Sequence, residues 1–274
     1  MFLGETTPLD ICYYLPMKWA NKFYSTTGAW WGPAEYKVTQ RDYDRVNTIK
    51  RLSPDSKTVL ELGSGYGNTS SACAESGFNT TAIELSDRIE FAKQYEEKEY
   101  EGFLKFIKGS FYDVELSDKF DVVAYWNGLG LGTDQDQRNL LKRIANEWLN
   151  PNGVALIDVQ NPFVWFKWAE EKESINKKAR PEAGYNFNVS EKIEFDVLKN
   201  RLIDTWWQTE KPEEKISQDL RCYSPNDLIM LLEGTGLKLK SIEIEGKEID
   251  LGKDYGSDNP LYENSEYLAV LVKG

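Results

Sequence analysis

The sequence predicts an α/β protein on a doubly wound, mainly parallel sheet of seven strands. Three observations carry this expectation. A short apolar strand runs into a glycine-rich turn and a helix over residues 58–75, strand and helix patterns alternate as far as residue 160, and two further strand signals close the chain. Alternation of this kind implies right-handed crossovers and parallel strands covered by helices on both faces. A chain of 274 residues with 41% hydrophobic content can bury one substantial core beside a smaller lobe.

Before the first strand, residues 1–52 form an aromatic-rich segment expected to be helical. It holds Tyr13, Tyr14, Trp19, Phe23, Tyr24, Trp30, Trp31 and Tyr36, and Gly28 and Gly32-Pro33 are expected to break it into short pieces. Thr39 to Leu52 reads as a helix with a polar face that ends at the Ser53-Pro54 turn. The glycine turn follows in Thr58-Val59-Leu60-Glu61-Leu62-Gly63-Ser64-Gly65-Tyr66-Gly67. Glycine at each of these alternate positions lets the backbone turn sharply and approach a ligand that a Cβ would push away. Glu84 ends the second strand, Thr80 to Ile83, where a carboxylate can accept the ribose hydroxyls of a nucleoside. The ligand expected here is an adenosine derivative.

Ser86 is the expected cap of a helix to about Tyr100, with Asp87 and Glu90 in its first turn. Leu104 to Ile107 supplies a third strand, Lys119 to Tyr125 a fourth and Val154 to Ile157 a fifth. The helix opened by Asp134-Gln135-Asp136-Gln137 repeats Leu140, Leu141, Ile144, Ala145 and Trp148 at helical spacing. From 161 to 221 the rhythm changes. A helix is expected from Phe163 to Lys178, then an antiparallel hairpin of Glu191–Val197 and Arg201–Gln208 turning at Leu198-Lys199-Asn200. This insertion after the fifth strand predicts a small antiparallel cap over the strand ends where ligands bind. The expected organisation is therefore an N-terminal helical segment (1–52), a nucleoside-binding domain (53–160 and 222–274) and a substrate-binding cap (161–221).

The spacing G-x-G-x-G with Glu61 two residues ahead of it, Glu84 after the second strand, Gly109-Ser110-Phe111 after the third, and the turn Leu149-Asn150-Pro151-Asn152-Gly153 into the fifth together resemble the class I S-adenosylmethionine-dependent methyltransferases. The ordered matches cover about 100 residues. The resemblance implies the Rossmann-like methyltransferase fold with residues 1–52 as an N-terminal helical lid over the active site, S-adenosylmethionine as cofactor, and methyl transfer to nitrogen or oxygen of a small-molecule or modified-peptide acceptor, as in natural-product biosynthesis. It also implies cofactor contacts from Glu61, Gly63, Ser64, Gly65, Gly67, Glu84, Leu85, Ser110, Phe111, Tyr125 and Trp126.

Asp158, at the end of the fifth strand, is the candidate for contact with the acceptor, with Tyr24 and Trp126 as further catalytic candidates. Trp30, Trp31, Asn127, Gln160, Asn161 and Tyr185 are candidates for binding the acceptor. Together with Trp165, Trp168, Trp206 and Trp207 in the cap, the lid aromatics are expected to form a box for a flat or cationic group. Two rivals use similar signals. A nicotinamide-dependent oxidoreductase would want a small residue where Asn68 stands and a second mononucleotide-binding half, and a non-catalytic nucleoside-binding module would not need the aromatic cap.

Composition narrows the partners. A net charge of −12, from 45 acidic and 33 basic residues, disfavours nucleic acid, which demands a basic surface, and suits a small, cationic or amine-bearing acceptor. Cys12, Cys73 and Cys222 follow no metal spacing. The absence of histidine removes the usual general base and the usual transition-metal ligand. Neither a signal peptide nor a membrane span is read, so the expectation is a cytosolic monomer or homodimer with no metal and no membrane partner.

Overall fold

The computed structural model describes residues 18–171 and 174–274. Cys12, Tyr13, Tyr14 and the rest of the first 17 residues of the expected lid lie outside them. The main sheet follows the order β11-β10-β12-β5-β4-β1-β2-β3. Its parallel part is β1 (Thr58–Leu62), β2 (Asn79–Glu84), β3 (Phe103–Lys108), β4 (Phe120–Tyr125) and β5 (Leu149–Gln160). The antiparallel edge is β10 (Leu237–Ile244), β11 (Lys247–Ile249) and β12 (Glu266–Lys273). Seven of these were expected, and β11 adds an eighth, a three-residue hairpin return from β10. Because β1 pairs with both β2 and β4, the strand order reverses between β1 and β4, and a crevice opens at their carboxyl ends.

The lid departs from expectation. Helix α1 (Lys18–Glu35) runs unbroken through Gly28 and Gly32, with Pro33 confined to its last turn. Packing explains the glycines: a Cβ on Gly28 would lie 2.6 Å from Cγ of Arg88, and one on Gly32 would lie 2.2 Å from Cζ of Phe91. They are contact points for the segment after β2, and close approach outweighs their low helix propensity. Helix α2 (Gln40–Leu52) begins with a capping box in which Asp42 accepts from the Thr39 amide and hydroxyl, both at 2.8 Å.

Behind the glycine turn lies α3 (Asn68–Glu75). The long helix expected after Ser86 is only α4 (Ile89–Ala92) followed by a 3₁₀ turn, Lys93–Glu97. The N-cap position falls at Arg88 and not at Ser86, whose hydroxyl donates to Glu84 at 2.6 Å and accepts the Arg88 amide at 3.4 Å. Helix α5 (Asp134–Arg143) starts at a Thr133/Asp136 capping box and crosses to β5. Its buried Leu140 and Leu141 join Ile144, Ala145 and Trp148 in the core on one face of the sheet.

After β5, α6 (Pro162–Glu171) ends earlier than expected, since Ile175–Lys177 forms β6 against the strand that follows. A second sheet then takes the order β6-β7-β8-β9, with β7 (Val189–Asp196), β8 (Arg201–Gln208) and β9 (Ile216–Arg221). The β7–β8 hairpin stands where the alternation placed it; β9 was not expected. Ile193, Leu202 and Leu220 continue the core of the main sheet into this cap. The amide of Arg221 donates to the Gly130 carbonyl at 2.9 Å, and Arg201 Nη1 to that of Gly132 at 3.0 Å, fixing the cap to the loop after β4. Helix α7 (Pro225–Leu232) leads back to β10.

Among the turn glycines, Gly65 and Gly67 differ instructively. Both have positive φ, at 57° and 77°. A Cβ on Gly67 would meet the Phe106 ring at 2.5 Å, whereas one on Gly65 would meet nothing within 4 Å. Gly67→Ala is therefore expected to cost about 2–4 kcal/mol of stability from backbone strain and overpacking combined, and Gly65→Ala about 1 kcal/mol from strain alone. Denaturant unfolding of both variants checks this, and equal losses would refute it.

Candidate active site

A cavity of about 510 Å³ opens at the carboxyl ends of β1 and β4 and is closed by α1 and α2. Glu61, Gly63, Ser64, Gly65, Glu84, Leu85, Phe111, Tyr125 and Trp126 line it, as does Tyr24 from the lid. Two expected contacts do not: Gly67 is turned toward Phe106, and the Ser110 hydroxyl accepts the Tyr112 amide at 3.1 Å without lining the cavity.

Glu84 organises the floor. One carboxylate oxygen accepts the Gly65 amide at 2.7 Å, and the other accepts the Ser86 amide at 2.7 Å and the Ser86 hydroxyl at 2.6 Å. A carboxylate offers about four acceptor sites, so three are spent on the protein and one remains for a ligand hydroxyl. Glu61 is buried beside it and accepts from Ser70. Burial raises the Glu61 carboxyl to about 7, against the Ser70 hydrogen bond and the charge of Arg45, which favour the ionised form.

Arg45, not anticipated as a site residue, comes from α2. Its Nη1 donates to the Thr69 hydroxyl at 3.1 Å, its guanidinium lies 5.0 Å from the centre of the Trp126 ring, and its buried Nη2 has no hydrogen-bond acceptor. One face of Trp126 is thus covered by a cation. Arg88 was also missed: it lies 5.4 Å from the Tyr24 ring and 4.9 Å from the Tyr66 ring, and donates to the Tyr24 carbonyl at 3.0 Å. Both arginines occur in polar-looking helical text, and only the tertiary fold aims them inward.

The acceptor-side candidates are dispersed. Asp158 lines a neighbouring cavity of about 600 Å³ on the other side of Trp126. Side chains alternate along a strand, and Asp158 shares the face of Val154 and Leu156, under α2, whereas Ile157 and Val159 face the core that continues into the cap. Asp158 accepts the Asn127 amide at 3.1 Å and pairs with Arg45 at 3.7 Å; burial and the nearby Glu266 raise it to about 7 against that pairing. Asn127 lines the first cavity in a left-handed conformation, φ 55°, and its side chain accepts from Arg41 at 3.1 Å. The Asn161 amide is spent on the carbonyls of Leu261 and Asn264, at 2.6 and 2.7 Å, and Gln160 accepts from Trp165 at 2.8 Å. Neither lines the cavity.

Tyr24 donates its phenol proton to Gln218 at 2.9 Å, and Gln218 donates to the buried Asp204 at 2.8 Å. Burial pushes the Tyr24 phenol far above its ordinary range despite Arg88. Near neutral pH it keeps its proton and offers a fixed hydrogen-bonding group, not a base. The expected aromatic box is only partly assembled. Trp30 is buried against Trp31, and Trp165 packs on Trp168. Trp31, Tyr185 and Trp206 line a third cavity between lid and cap.

A crevice at the switch point, a glycine turn tied to the acid after β2, and a covering lid define a class I methyltransferase architecture. The chain belongs to the family described as "Methyltransferase domain", whose model matches residues 38–242. The cypemycin N-terminal methyltransferase of Streptomyces sp is 32% identical over 109 residues, 39% of this chain and 44% of that protein. The CcbJ methyltransferase of Streptomyces caelestis superposes with a TM-score of 0.65 at 17% identity, over 86% of this chain and 91% of that one. An S-adenosylmethionine-dependent methyltransferase of Clostridium acetobutylicum gives a TM-score of 0.65 at 14% identity, over 93% and 99%. The chain spans less than half the length of the curated relatives it matches.

The cavity's chemistry fits S-adenosylmethionine. Glu61 would hold the ammonium, the Arg45 guanidinium a carboxylate, the free acceptor site of Glu84 a ribose hydroxyl, and Leu85 and Phe111 the apolar base. Ammonium binding favours ionised Glu61. Cofactor affinity is therefore expected to rise with pH below about 7, with proton release, and to level off above it. Titration calorimetry near pH 6, in two buffers of different ionisation enthalpy, checks this; buffer-independent heats, or the same release from Glu61→Gln, would contradict it.

Proposed function

We propose that this protein transfers a methyl group from S-adenosylmethionine to the amine nitrogen of a small-molecule or peptide acceptor. The observation that carries the reading is the single cavity combining the glycine turn, two buried carboxylates and the half-buried Arg45. The nitrogen preference draws on the cypemycin N-terminal methyltransferase relative and on the acidic balance of the chain, which favours acceptors that are ammonium ions in water. Oxygen is the alternative nucleophile, and the tightly fixed Tyr24 phenol would serve either.

When bound, the cofactor supplies an electrophilic methyl group on a sulfonium. The protein's task is to hold the acceptor's lone pair in line with it and keep water out. Tyr125 and Trp126 end the fourth strand region beside the glycine turn, and the Tyr125 hydroxyl is tied to the Gly128 carbonyl at 2.5 Å, which fixes that wall. Tyr24 is held between Arg88 and Gln218, so its oxygen is placed from two sides. The acceptor amine must give up a proton. Glu35 is the one carboxylate lining both this cavity and the lid–cap cavity, and it accepts the Tyr185 hydroxyl at 2.7 Å. We assign it the orientation of the amine and the receipt of its proton. Asp158, behind Trp126, is not placed for that task.

Incubation with S-adenosylmethionine and a panel of amines and phenols on matched scaffolds, followed by formation of S-adenosylhomocysteine, tests the function. Amines are expected to turn over faster, and Glu35→Gln to cut the rate by about 10²-fold with cofactor affinity unchanged. Phenols reacting first would move the acceptor atom to oxygen. Full activity of Glu35→Gln would remove Glu35 from the reaction.

A further inference from the structure

We propose that the cavity between lid and cap is a subsite for an anionic oxygen group, carboxylate or phosphate, on a flat apolar acceptor, so that the acceptor joins an amine at one end to an anion at the other. This rests on the methyltransferase reading and specifies its substrate. The cavity encloses about 480 Å³, with walls of Trp31, Tyr185, Phe187 and Trp206. It adjoins the cofactor cavity across Glu35 and Tyr185, which line both.

The charge of this cavity runs against that of the chain. The protein carries −12 overall, yet Lys177, Lys178 and Arg180 line the cavity with Glu35 as the sole acid. Lys177 is neutralised by Glu191 at 2.7 Å and lies over Trp206 at 4.2 Å. Among the described residues, no ion pair forms to Lys178 or Arg180. Their charge is available to a ligand.

Arg180 is also held in place. Its guanidinium lies 4.6 Å from the centre of the Tyr185 ring. Backbone hydrogen bonds of 2.7 and 3.1 Å join residues 180 and 185 in both directions. Gly184, with φ 84°, closes that loop against α1, where a Cβ would lie 3.1 Å from the Ala34 amide nitrogen. The arginine is therefore presented over an aromatic wall by a loop locked to the lid, an arrangement that suits a planar ring bearing an anion.

The test is titration of the full chain, with S-adenosylhomocysteine filling the first cavity, by phenylacetate, phenyl phosphate and phenethylamine. At least one anion is expected to bind about tenfold or more tightly than the amine, and the tighter of the two identifies the carboxylate or the phosphate as the natural group. The double substitution K178E/R180E should erase or reverse the preference and K178Q/R180Q weaken it, while the affinity for S-adenosylhomocysteine stays at the wild-type value and reports an intact fold. Equal or tighter binding of phenethylamine, an unchanged ranking in K178E/R180E, or no binding of either anion at millimolar concentration would overturn the proposal. Failure of the methyltransferase reading would appear separately, as no affinity for S-adenosylhomocysteine at all.

Discussion

A buried carboxylate survives in a folded protein only when its charge is met by donors, and Glu84 meets that condition by joining two turns. Its hydrogen bonds to the Gly65 amide and to the amide and hydroxyl of Ser86 tie the loop after β1 to the loop after β2. Much else depends on this junction. The Ser64 amide reaches the Ile83 carbonyl at 3.0 Å, and the Gly109 amide reaches the Glu84 carbonyl at 3.0 Å, so three consecutive strand ends share one hydrogen-bonded rim. The same junction reaches the start of α4, because the Ser86 hydroxyl that donates to Glu84 also accepts the Arg88 amide at 3.4 Å.

The parts that were legible in the sequence are those where one residue type is compulsory. Gly63, Gly65 and Gly67 announce the turn because all three have positive φ, and alternating charge announces the β7–β8 hairpin because one face is solvated. What was not legible depends on distant packing. Gly28 and Gly32 read as breaks until Arg88 and Phe91 are seen against them. Asp158 ends the right strand, but the two-residue period of β5 turns it toward α2 and away from the cap, a distinction that naming the strand end does not make. Arg45 was passed over because an arginine on a polar helix is ordinarily solvated; only the packing of α2 on α3, through Asp42, Thr69 and Arg45, buries it.

The lid and the cap are coupled to each other as well as to the sheet. Trp206 of β8 packs on Trp31 at 4.4 Å and on Phe23 at 6.3 Å, and its indole donates to Asp204 at 2.5 Å. Asp204 in turn holds Gln218, which holds Tyr24. One buried acid thus serves an aromatic that walls the lid–cap cavity and a tyrosine that walls the cofactor cavity. Burial raises the Asp204 carboxyl to about 6, against its hydrogen bond from Gln218, so the network is electrostatically costly and its geometry is correspondingly exacting. Cap and lid are therefore joined in one hydrogen-bonded wall.

The electrostatic layout completes the argument. The whole-chain charge suggests an acidic pocket, but the acids closest to the cavities are each answered: Glu84 by backbone donors, Glu61 by Ser70 and Arg45, Asp158 by Asn127 and Arg45, and Asp204 by Gln218 and Trp206. Among the described residues, the cations that line the third cavity without an ion-pair partner are Lys178 and Arg180. Net charge is set by the surface as a whole, where it governs solubility and long-range attraction, while selectivity within a cavity follows the few polar groups that line it. In this protein the two have opposite sign: the chain as a whole is acidic, while the lining of the lid–cap cavity carries three cations against one acid.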